Sequence, residues 1–137
     1  MSKPKSEFQD KWERSPGLLY FIAAGNPPKA VKIGVTTQAT LAQRIRAIQN
    51  GNHEVIHVLR LIEFDDMERP MIAAEQMERE LHRRFAHLRR FEPGWVGSEW
   101  FSVDDSLLAH IMSNGIDPKN RSYTVSLAKP MADHHHP

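Results

Sequence analysis

Tyr20, Lys32, Arg44, Glu78 and His82 follow one another along this chain, a phenol, two cations, a carboxylate and an imidazole. Together they match the needs of phosphodiester hydrolysis: an activated water, neutralisation of charge growing on the nonbridging oxygens, and help for the leaving oxygen. Glu78 is the candidate metal ligand, because Mg²⁺ keeps several waters and takes only one or two protein carboxylates. Mn²⁺ accepts the same oxygen donors. Arg44 carries a planar fork of donors suited to phosphate oxygens. Tyr20 could relay or remove the proton of the water if its pKa, about 10 when unperturbed, fell beside Lys32 and the metal. Lys32 would then neutralise phosphate and tune Tyr20 at once. His82 lies one helical turn beyond Glu78, where it could position water, support the carboxylate or accept a proton.

These residues need elements to hold them. Leu18 to Ala24 is a compact apolar run between Pro16-Gly17 and Gly25-Asn26-Pro27-Pro28, with the length and flanks of a buried strand. Ala30 to Thr36 reads as a second strand, Val31, Ile33 and Val35 sharing one face, and the loop between the two predicts a hairpin. Leu41, Ile45 and Ile48 repeat at helical spacing, with Thr40 able to cap and Asn50-Gly51 able to stop the helix. His53 to Phe64 has apolar residues on both sides, which predicts a central strand. Pro70 opens a longer helix to about Leu88, with Ala74, Met77, Leu81, Phe85 and Leu88 as its core stripe and Glu78 and His82 at the border of that stripe. Glu99-Trp100-Phe101 is a short extended piece. Ser102 with Asp105 resembles a capping box before a last helix carrying Leu107, Leu108, Ile111 and Met112. The expected fold is α+β, a small three-stranded antiparallel sheet flanked by helices in the order β-β-α-β-α-α. The expected domain spans residues 17–115, after a flexible arm at 1–16 and before a tail at 116–137 with one short strand, Tyr123 to Leu127.

At 137 residues the chain suits one domain with a real core. It has 40% hydrophobic residues and no apolar run near the roughly 18 a membrane span requires, so no membrane partner is expected. With no cysteine, disulfides and cysteine-built zinc sites are excluded. The polar first dozen residues lack a secretory apolar segment, which fits a cytoplasmic protein. Net charge is only +1, so a nucleic-acid surface must come from local clustering. The densest stretch, Arg79 to Arg90, gathers Arg79, Arg83, Arg84, Arg89 and Arg90 with His82 and His87 on what reads as one helix.

In order and spacing the chain resembles the GIY-YIG nuclease superfamily, in the branch named for an open reading frame of phage T5. The resemblance covers roughly residues 17 to 102 and rests on a strand holding Tyr20, Lys32-Ile33-Gly34, Arg44, Glu78-Arg79-Glu80-Leu81-His82, Phe85 and Glu99-Trp100-Phe101. Lys32 replaces the second tyrosine of the superfamily, as this branch does, and the asparagine that often closes the pattern has no evident counterpart, Glu99 standing in that region. The resemblance implies a GIY-YIG-like fold and a Mg²⁺- or Mn²⁺-dependent endonuclease acting on DNA, in phage-related DNA processing. Tyr20, Lys32, Arg44, Glu78 and His82 would be catalytic, Glu78 the metal ligand, Lys32, Arg44, Arg46 and Arg83 the nucleic-acid contacts, and Gly34, Glu99 and Trp100 structural.

Two other readings compete. The scaffold could be a DNA-binding module without turnover, acting with a protein partner that supplies specificity, or a protein-interaction domain using Trp95, Trp100 and the last helix. Glu75 and Glu80 read as solvent-facing charges, His53 and His57 as structural strand histidines, and His134-His135-His136 as a solvated tail.

Overall fold

The computed structural model describes residues 6–91 and 99–121. Four strands, β1 (Gly17–Ala24), β2 (Ala30–Thr37), β3 (Ile56–Phe64) and β4 (Trp100–Ser102), form one antiparallel sheet in the order β3-β1-β2-β4. Four α-helices flank it: α1 (Glu7–Arg14), α2 (Leu41–Asn50), α3 (Pro70–Arg84) and α4 (Asp105–Asn114). The α+β class is as expected; the sheet has one strand more.

The extra strand is Glu99-Trp100-Phe101 put to use. An extended piece with too few residues to declare a period pairs here with Ala30, Val31 and Lys32 of β2. β1, rather than β3, is central among the described strands. Every residue of β1 is buried, whereas β3 mixes buried with partly exposed positions and, among the described residues, has only β1 as a full neighbour, plus a single bridge from Leu61 to Ile116. Apolar residues on both faces of β3 therefore signalled cover on two sides, not a neighbour on each edge. The strand also starts late, at Ile56. The Gln49 side chain accepts from the Ile56 amide and donates to the Glu54 carbonyl, holding residues 53–55 in a turn.

Alternation along β1 divides the core in two. Leu19 and Phe21 face one side with Val31, Ile33, Ala74, Leu81, Phe85, Leu107 and Ile111, under α3 and α4. Leu18, Tyr20 and Ile22 face the other with Leu41 of α2, Ile56 and Leu61. Each fully buried Leu, Ile or Phe of this set contributes about 1.5–3 kcal/mol relative to exposure, so the sheet is fixed from both faces.

Other boundaries moved for local reasons. Residues 7–14, expected within an arm, form α1, whose Ser6 accepts from the Gln9 amide as N-cap and whose Glu13, 2% exposed, meets Arg69 at 2.8 Å. Its apolar stripe is only Phe8 and Trp12, four residues apart, and Phe8 is exposed, so burial of that face does not define the helix. Pro70 does open α3, but the helix stops at Arg84, Phe85 turning into a short 3-10 segment at Ala86–Leu88. The arginine-rich stretch is thus not one helix: Arg79, Arg83 and Arg84 lie on α3, while Arg89 bridges to Phe101. α4 is capped by Asp104, whose Oδ1 accepts from the Leu107 amide at 2.8 Å, because Ser102 is engaged in β4. Thr40 makes no cap; its hydroxyl bonds those of Thr36 and Thr37. The expected strand Tyr123 to Leu127, Trp95 and the three terminal histidines lie outside the described residues. Among the described residues no helix is long and apolar enough to cross a membrane.

Candidate active site

Tyr20 on β1 stands opposite Gly34 on β2. A Cβ at position 34 would collide with the Tyr20 ring and hydroxyl, so the glycine is the space in which the phenol lies. The ring is packed in the α2-side cluster with Leu41, and Arg44 follows Leu41 by three residues on α2. Arg44 is exposed yet close enough to act electrostatically on the phenol. Burial pushes the Tyr20 pKa well up, the charge of Glu99 adds to this, Arg44 opposes it and Glu78 raises it again. The expected lowering by Lys32 is not found. That lysine is engaged elsewhere, its Nζ 2.7 Å from Glu99 Oε2 and 5.7 Å from the centre of the Trp100 ring.

The site lies where β4 runs out. β4 covers the outer edge of β2 only as far as Lys32, and the next residue, Ile33, finds other partners. Its amide donates to the Glu99 carbonyl at 3.1 Å, and its carbonyl lies 2.8 Å from His82 Nε2. A carbonyl only accepts, so this geometry assigns the proton to Nε2 and leaves Nδ1 as the free acceptor. Burial lowers the His82 pKa, outweighing the carbonyl bond that raises it, which keeps the ring neutral. The ring also tilts against Phe101 at 5.1 Å between centroids. His82 thus ties α3 to β2 through Nε2, which leaves Nδ1 as the nitrogen able to accept a proton.

One turn earlier on the same face of α3 is Glu78, half-buried. Its pKa is pushed up to about 7, first by burial, then by Glu99 and Glu75, with Lys32 and Arg79 opposing. None of the ion pairs among the described residues engages it. An unpaired carboxylate that is costly to ionise beside a second carboxylate is a place where a divalent cation would relieve the cost. Among the described residues no cluster of three His, Asp or Glu could close around an ion. This donor set fits Mg²⁺ with a largely aqueous shell better than a metal that demands an all-protein cage.

Tyr20 is linked electrostatically to Glu99, Arg44 and Glu78, and Glu78 to Glu99 and Lys32, while His82 lies one turn beyond Glu78 on α3. Arg46 and Arg83 are exposed and not drawn in: at about 100° per residue Arg46 is about 200° round α2 from Arg44, and Arg83 about 100° round α3 from His82. Glu99, expected to be structural, brings its carboxylate into the centre of the charge network. The signal for it was its place beside Trp100, which pairs with Lys32, since opposite charges across neighbouring strands attract. Reading that signal required knowing that β4 pairs with β2.

Residues 17–114 match the family described as the T5orf172 domain. No curated protein and no solved structure matches the chain.

Proposed function

We propose that this chain, which belongs to the T5orf172 domain family, is a GIY-YIG-type endonuclease that hydrolyses DNA phosphodiester bonds with a divalent cation. Membership in the family makes it nuclease-like and DNA-binding in kind, and the catalytic step is our proposal. The observation that carries it is Glu78: a half-buried carboxylate outside every ion pair of the described residues and within electrostatic reach of Tyr20, Lys32 and Glu99. In this reading Glu78 holds Mg²⁺ or Mn²⁺, which when bound supplies charge neutralisation and acidifies water. Arg44 takes nonbridging phosphate oxygens with its fork, and Lys32 takes another as a point charge. Tyr20 keeps its proton at neutral pH, so its hydroxyl orients the attacking water by hydrogen bonding instead of removing its proton as a phenolate, and the proton of the water passes to solvent. His82 is a positioning residue that sets where α3 presents Glu78.

Incubation of the full chain with single-stranded and duplex DNA in Mg²⁺, in Mn²⁺ and in excess chelator tests the reading. Cleavage that the chelator stops and added metal restores is expected. Salt-dependent binding with no cleavage under any metal would instead favour the DNA-binding module without turnover, a reading supported by the pairing of Lys32 with Glu99. No binding even at low salt would sink both.

A further inference from the structure

We propose that Glu99 is a latch on Lys32: an internal counter-ion that a DNA phosphate displaces when it binds. This rests on the DNA-binding reading above and adds a role for a residue that reading leaves idle. The two side chains meet at 2.7 Å, and their exposure is unequal, 16% for Lys32 and 42% for Glu99. The ammonium is enclosed while the carboxylate has solvent to swing into. The main chain of Glu99 does not have to move, because its carbonyl is held by the Ile33 amide at 3.1 Å and Trp100 beyond it is in register with Lys32. Rotation of one side chain therefore opens the latch.

Chemistry favours the exchange. A phosphate oxygen offers the ammonium the same kind of charge-assisted hydrogen bond as the carboxylate, so one anion replaces another and the enclosed lysine is never left bare. The Trp100 ring, 5.7 Å from Nζ, keeps the ammonium in place during the exchange. Arg44 is exposed and, among the described residues, outside every ion pair, so the resting site offers one ready cation and one latched cation.

The test is DNA binding by fluorescence anisotropy in chelator, across a salt series, for wild type, Glu99→Gln, Lys32→Ala and the double variant. Glu99→Gln is expected to bind about three- to tenfold tighter, with a log–log salt slope steeper by about 0.9, the equivalent of one more neutralised phosphate. That gain should vanish in the Lys32→Ala background. A gain that survives without Lys32 is a general charge effect and overturns the latch, as does unchanged or weaker binding by Glu99→Gln. Acetylation of the Lys32 amine, followed by mass spectrometry, reads the latch without DNA: faster labelling in Glu99→Gln is expected, and equal rates overturn it. If the amine is unmasked as expected but neither wild type nor any variant binds DNA, the DNA-binding reading has failed, whereas binding without the Lys32-dependent gain removes the latch alone.

Discussion

Ionising Glu78 in place costs free energy, and this gives the residue a pH signature. Its folded pKa of about 7 lies above its ordinary value of 4.5, so between those values the folded state binds more protons than the unfolded chain. Stability from this group is therefore lost as pH rises through that window. Glu78→Gln should be more stable than wild type by about 1–3 kcal/mol near pH 8, with the gap closing near pH 4–5, as read by thermal denaturation across the series. Mg²⁺ should raise the melting temperature of wild type at pH 8 and leave that of Glu78→Gln unmoved. Gly34 makes the second prediction at this scale. Gly34→Ala sets a methyl against the Tyr20 ring and should cost about 1–3 kcal/mol in denaturant unfolding, while Tyr20→Phe, which removes only the hydroxyl, should keep the fold and lower cleavage. The elements that carry the candidate residues were legible, Tyr20 and Lys32 on neighbouring strands and Arg44 and Glu78 on helices. Their electrostatics were not, because the direction of the Tyr20 shift depends on burial and on Glu99, neither of which a linear pattern reports.

At the scale of elements, a hydrogen bond from His82 ties α3 to β2 in addition to their apolar packing. His82→Ala would leave the Ile33 carbonyl without its partner and should cost about 1–3 kcal/mol. Because it also frees α3 at the turn next to Glu78, cleavage should fall further than stability explains, with faster amide exchange in β2 reporting the loosened edge. Strong periodicity made β1, β2, α2 and α3 readable, since alternation and the three-to-four spacing of Ala74, Met77, Leu81 and Phe85 follow directly from which faces are buried. β4 and α1 were hidden because their existence depends on distant partners. Trp100 to Ser102 become a strand only against Ala30 to Lys32, and α1 is held through Arg69, which bonds both Asp10 and Glu13. The start of β3 shows the same limit: Gln49, remote from the apolar pattern, decides that the strand begins at Ile56.

As a whole molecule the protein carries net charge of only +1, so the DNA binding proposed for it would be local and short-ranged. Binding should weaken steeply with salt, and removing Arg44 should flatten the log–log slope by about 0.9 for each phosphate that the guanidinium neutralises, whatever the DNA sequence. Arg46→Ala, on the far side of α2, should change that slope little. The α+β architecture could be read from the chain because both sheet faces bury apolar residues that alternate along β1. The sheet order could not, since it is set by which edge each short strand finds. The claim on which everything else turns is that Glu78 is the metal-binding carboxylate of a DNA-cleaving site. Single-turnover cleavage of DNA in Mg²⁺ by wild type and Glu78→Gln, compared at a pH where both are folded, addresses it most directly. A loss of at least about 100-fold in rate with DNA binding retained is predicted. Equal rates for the two proteins, or no cleavage by wild type in either Mg²⁺ or Mn²⁺, would contradict it.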